Sequence, residues 1–140
     1  MDLVNKKDYK LEPFFHDASY TKVRVKVKDL LVRVYKGRGS FIVGPIENSP
    51  AYKYLQTGND DYYINYHKMV KQLINEDDTH SLYRFKKLIS KIKKEGYDTK
   101  KPILVSYTTK GYEIIDGQHR ASILYRLDKE QEIEVLQWVM

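Results

Sequence analysis

Val23, Val25 and Val27 alternate with Arg24, Lys26 and Lys28. Side chains of an extended strand point to opposite faces in turn, so this alternation predicts a half-buried strand. Asp29-Leu30 leads to a second strand, Leu31 to Tyr35, and Lys36-Gly-Arg-Gly39 reads as a tight loop before a third, Ser40 to Val43. Three successive strands predict a β-meander over residues 21–45. An arm, residues 1–20, precedes it, with Phe14 and Phe15 available to anchor it on the core.

After Gly44-Pro45 the period lengthens. Ser49-Pro50 marks a helix start with proline at its first position, running to Leu55 and stopping at Gly58. Tyr62, Tyr66, Met69, Val70, Leu73 and Ile74 recur at helical spacing and predict a second helix. Leu82, Phe85, Leu88, Ile89 and Ile92 form the stripe of a third, capped by Asp77-Asp-Thr79 and ended by Gly96. The helical segment is thus 49–95.

Residues 102–139 read as strand, strand, helix, strand. Pro102 introduces Ile103 to Tyr107, Thr108–Gly111 is a hairpin turn, and Tyr112 to Ile115 returns. A helix follows over about Gln118 to Leu127, then a strand from Ile133 to Val139. This order predicts a single α+β domain, a mixed β-sheet packed with helices.

Composition narrows the possibilities. A chain of 140 residues, 41% hydrophobic and 31% charged, suits one core. No run of eighteen apolar residues predicts a membrane span, and the first ten residues lack the apolar centre of a signal peptide. The absence of cysteine excludes disulfides, thiolate metal sites and thiol redox chemistry. A cytoplasmic location is the expectation. The net charge of +6 favours anionic partners. The lysines at 86, 87, 91, 93 and 94 fall mostly on the polar face of the third helix, where they serve solvation.

The segment Gly111-Tyr-Glu-Ile-Ile-Asp-Gly-Gln-His-Arg-Ala-Ser-Ile-Leu124 changes the picture. It places Gln118, His119 and Arg120 in the first turn of a helix that begins where a strand ends. A helix start presents unpaired N–H groups and a partial positive charge. Gly117 lets a ligand approach that backbone, and His119 and Arg120 add donors suited to phosphate oxygens. A cation in the first turn opposes the helix dipole, so it is costly unless an anion arrives. Asp116 is placed to take a proton from a hydroxyl or to bind Mg²⁺. The bland alternatives are a turn-fixing role for Asp116 and an Arg120 salt bridge to Glu113.

The other candidates are weaker. His16, His67, His80 and His119 never fall at a close metal-ligand spacing, and His67 and His80 read as structural or exposed. Ser49 is either a phosphate contact or a helix cap, and Lys53 a phosphate cation or a surface lysine. Thirteen tyrosines are available for core packing, with one or two ligand contacts among Tyr52, Tyr54, Tyr62, Tyr63 and Tyr66. Lys36-Gly-Arg-Gly39 is no P-loop, since Gly-Lys-Ser/Thr and a following helix are missing.

Ile115-Asp-Gly-Gln-His-Arg-Ala121, preceded by Pro102-Ile-Leu-Val105, resembles the signature of the ParB/sulfiredoxin superfamily. The resemblance covers roughly residues 100–139 and extends more loosely to Glu47-Asn-Ser-Pro-Ala-Tyr-Lys-Tyr-Leu55, similar to a segment of small ParB-like proteins. It implies a ParB/sulfiredoxin-like fold holding nucleotide phosphates at the motif. The superfamily includes sulfiredoxin, the CTP-binding domain of chromosome-partitioning ParB, a free-serine kinase, and small proteins associated with bacterial polysaccharide biosynthesis. From the kinase, the resemblance carries a catalytic acid onto Glu47.

Two branches fit poorly. Sulfiredoxin needs a cysteine where this chain has Gln118. Chromosome-partitioning ParB carries a helix-turn-helix after the fold, and only twenty residues follow Arg120. The expectation is therefore a phosphotransferase, an ATP-dependent kinase using Mg²⁺, acting on a hydroxyl of a small molecule or glycan. Gly117, Gln118, His119, Arg120, Ser49 and Lys53 would bind phosphate, and Asp116 and Glu47 would serve catalysis. The alternatives are a non-catalytic nucleotide- or DNA-binding module, with DNA disfavoured, or a nuclease.

Overall fold

The computed structural model describes residues 2–73 and 81–139, with side chains of 72 and 73 left aside. The strands are β1 (Ser19–Lys26), β2 (Leu30–Gly37), β3 (Ser40–Pro45), β4 (Leu104–Thr108), β5 (Gly111–Asp116) and β6 (Glu132–Val139). The helices are α1 (Pro50–Thr57), α2 (Asp60–Leu73), α3 (Ser81–Glu95) and α4 (Gln118–Asp128). The architecture is α+β, with the six strands in the order β1-β6-β4-β5-β2-β3.

The first three strands do not form a meander. β2 and β3 pair as a hairpin, but β1 lies at the opposite edge, antiparallel to β6 along its whole length. Val25 and Val27 bury 95% or more of their surface, as the alternation requires. What differs is the partner. The backbone of Val27 and Lys28 bonds to Gln131 and Lys129, so the chain turns away from β1 instead of folding back on it. β2 then runs parallel to β5, and β4 parallel to β6.

One face of the sheet packs on the helices. Val32, Val34, Val105, Ile114 and Val135 share a core with Ala51, Tyr63, Phe85, Ile92 and Ile123. A smaller cluster of Tyr20, Leu104 and Leu136 is covered by Val4, Tyr9, Leu11 and Phe15 of the arm. Phe15 anchors the arm as expected, whereas Phe14 is 86% exposed.

α1 begins at Ser49, whose hydroxyl accepts the Tyr52 N–H at 3.0 Å, and ends at Gly58 in the left-handed conformation. In α2 the core residue is Tyr63, fully buried, and Tyr62 of the expected stripe is exposed instead. Tyr63 stacks on Phe85 of α3, with ring centroids 5.3 Å apart, and Tyr66 of the expected stripe packs against the same core. Ile74, His80 and the expected cap at Asp77-Asp-Thr79 lie outside the described residues. No described helix is long and apolar enough to cross a membrane.

Candidate functional site

The β5–α4 junction is set by Gly117. Its φ of +111° lies in the left-handed region, and a Cβ there would sit 2.9 Å from Ile103 and 3.0 Å from Arg120. Glycine thus serves both the turn and the close passage of the Arg120 guanidinium. Among the described residues no side chain caps α4. Its first N–H groups therefore point outward with the positive end of the helix dipole.

A cleft of about 330 Å³ opens at this junction. Asp116, Gly117, His119 and Arg120 form one side. α2 contributes Tyr63, His67 and Lys71, and α3 contributes Arg84, Phe85 and Leu88. Tyr63, His67 and Lys71 are spaced four apart, which puts them on one helix face. The Tyr63 hydroxyl lies 2.7 Å from His119 Nε2, and the His67 ring centroid is 5.5 Å from that of His119. Phe85 meets the His119 ring edge-on at 4.9 Å. His119 is therefore held by an aromatic cage, with one ring nitrogen fixed by a buried tyrosine.

Asp116 and Arg120 form an i,i+4 pair, Nη2 to Oδ2 at 3.4 Å, and Arg120 also donates to the Lys101 carbonyl. Burial pushes the Asp116 carboxyl above its ordinary range; Arg120 opposes this and Glu12 adds to it. A carboxylate so placed is a stronger base than a solvated one. Arg120 pairs with Asp116 and not with Glu113, which Arg33 holds at 2.8 Å.

The remaining sequence candidates lie elsewhere. Ser49 is fully buried, and its hydroxyl lies 3.0 Å from that of Ser122. Ser122 donates its proton to the Gln118 carbonyl at 2.8 Å, so Ser49 is the donor between the two serines. With Tyr52 N–H accepted as well, Ser49 is a cap and has no role at the cleft. Gln118 donates its amide to the Arg33 carbonyl at 3.3 Å and ties α4 to β2. Lys53 bonds the Tyr62 hydroxyl at 3.3 Å and lies over its ring.

Glu47 accepts from the Tyr125 hydroxyl, whose pKa burial and this bond push up to about 12. Tyr125 stands seven residues after Gln118, about 10 Å along the helix. Glu47 and Asp116 thus sit at different ends of α4, and Glu47 does not share the cleft.

The sequence pattern does not single out Lys71 or Arg84, and His67 reads there as structural or exposed. His67 and Lys71 follow Tyr63 at helical spacing on α2, which is the signal for those two, whereas Arg84 on α3 carries no such signal. Among the described residues no group of three or more His, Asp or Glu could hold a metal ion. Asp116 is the carboxylate that borders the cleft among the described residues. No protein-family model, curated protein or solved structure matches the chain.

Proposed function

We propose that the protein is a nucleotide-dependent phosphotransferase of ParB/sulfiredoxin-like fold, and that the cleft at the start of α4 holds a triphosphate. The observation that carries the reading is the meeting of Arg120, Lys71, Arg84 and His119 with an uncapped helix start around one half-buried acid, Asp116. Guanidinium groups bind phosphate through paired N–H donors, lysine as a point charge, and the helix end through its backbone.

Phosphoryl transfer needs positioning and charge neutralisation more than covalent chemistry. In this reading His119 and Arg120 hold the transferred group, Lys71 and Arg84 the remaining phosphates, and Asp116 accepts the proton of the attacking hydroxyl. Mg²⁺ arriving on the triphosphate would supply charge neutralisation for the phosphate oxygens and the leaving diphosphate. The acceptor class, a small molecule or glycan hydroxyl, and the preference for ATP are expectations from the superfamily resemblance.

The test is incubation with ATP, CTP or GTP in Mg²⁺, with sugars and amino acids as acceptors, followed by separation of the nucleotides. Acceptor-dependent diphosphate formation supports the proposal. Saturable binding with no turnover would leave a nucleotide-binding module. No binding of any triphosphate would end the reading, and DNA would be titrated next.

A further inference from the structure

Arg120 and Leu88 line a second cleft as well as the first. This neighbour also measures about 330 Å³ and lies between the end of α3 and the turn that leads to β4. Its cations are Lys91, Lys101 and Arg120, and its acids are Glu95 and Asp98. Asp98 is engaged as a turn acid, accepting the Lys100 N–H at 2.9 Å. Lys91 and Lys101 form no ion pair among the described residues, and both side chains are exposed. Tyr97 spends its hydroxyl on the Ile103 N–H at 2.9 Å and the Glu134 carbonyl at 2.7 Å. It therefore offers the cleft its ring, beside the buried Ile92.

The shared wall matters most. Arg120 is anchored on the Lys101 carbonyl and reaches Asp116 at 3.4 Å. A molecule in the second cleft meets the same guanidinium that borders the first and contacts Asp116 there. We infer that the second cleft is the acceptor site and takes a small hydroxyl compound that carries a carboxylate or a phosphate group. This rests on the triphosphate reading of the first cleft. Lys91 and Lys101 hold the anionic group, the Tyr97 ring and Ile92 flank the carbon skeleton, and the hydroxyl is directed to Arg120.

In the reaction the acceptor oxygen forms a bond to the γ-phosphorus. The bond from that phosphorus to the oxygen bridging to the β-phosphate breaks. The diphosphate leaves with the bonding pair, and the hydroxyl proton passes to Asp116. Nothing is oxidised or reduced.

The test is an amide-resolved NMR titration of the full chain in Mg²⁺, first with ATP alone and then with an acceptor probe added. Glycerate, glycerol 3-phosphate and glycerol share a three-carbon skeleton and differ in charge. The two anions are expected to shift the Lys91, Tyr97 and Thr99 amides saturably, with glycerol leaving them in place. Response to one anion only would name the group as carboxylate or phosphate. Lys91→Gln combined with Lys101→Gln should weaken anion binding about tenfold, a loss near 1.4 kcal/mol, and leave ATP affinity unchanged.

Equal shifts with glycerol, no shift with any probe, or shifts confined to the His119 and Lys71 amides would overturn the assignment. Failure of the triphosphate reading is seen separately, in the ATP titration that precedes the acceptor.

Discussion

At its start, α4 has no side-chain cap among the described residues, and Asp116, His119 and Arg120 border an open cleft. In its second turn and beyond, Ser122 and Tyr125 are closed off by Ser49 and Glu47. Both regions hold polar side chains of the kinds that bind phosphate or move protons. Both sets are hydrogen-bonded within the fold, and the difference lies in burial and in what they border: His119 and Arg120 line an open cleft, whereas Ser49 and Ser122 are enclosed. Ser49 and Ser122 use their protons on Ser122 and Gln118 and are fully buried, so their bonding capacity serves the α1–α4 contact. A polar group enclosed in the fold with all its partners is a structural element, whatever its sequence motif. At the helix start the backbone donors and the Asp116–Arg120 pair lie beside space for a ligand.

The comparison is broken most severely through Asp116. Asp116→Asn should lower phosphoryl transfer by about 10²- to 10⁴-fold while triphosphate binding persists, whereas Glu47→Gln should leave the rate near wild type. Steady-state assays of both variants check this. The pH dependence carries the same signature. The Asp116 carboxyl lies above its ordinary range, chiefly through burial. The acid limb of kcat/KM should therefore inflect above the ordinary aspartate value of about 3.9. The folded state binds this proton more tightly than the unfolded chain does. Its ionisation thus costs stability as pH rises from that ordinary value through the folded one, and Asp116→Asn should remove this slope.

Next in size is Arg120→Ala. Loss of charged hydrogen bonds to phosphate should raise the triphosphate Kd about 10- to 100-fold, measured by titration of the folded variant. Gly117→Ala tests the junction itself. The positive φ and the 2.9 Å and 3.0 Å contacts of the new Cβ should cost about 1–3 kcal/mol in urea unfolding. Because one of those contacts is the Arg120 guanidinium, triphosphate affinity should fall too. The smallest effect sharpens the comparison from the other region. Ser49→Ala should cost about 1 kcal/mol of stability, as a lost helix cap, with triphosphate affinity unchanged.

Local elements were legible in the sequence and their assembly was not. Alternation at Val23 and Val25 marks β1, with Val27 in the turn just after it, but the pairing with β6 spans more than a hundred residues and leaves no local trace. The Gly117 hinge and the start of α4 at Gln118 were read correctly because turn and helix-start chemistry is local. Ser49 was correctly marked as a helix start, yet its burial depends on α4 packing against α1. Lys71 and Arg84 reach the cleft only because α2 and α3 pack beside the motif, joined by Tyr63 and Phe85. Glu47 entered through resemblance alone, and its hydrogen bond to Tyr125 removes it from the cleft.

The most direct measurement is calorimetric titration of ATP with Mg²⁺ into wild type, Arg120→Ala and Ser49→Ala, each shown to be folded by circular dichroism. Saturable binding to wild type and Ser49→Ala, strongly weakened in Arg120→Ala, is the predicted result. Absence of binding to the wild type, or equal affinity in folded Arg120→Ala, would contradict the assignment of the cleft.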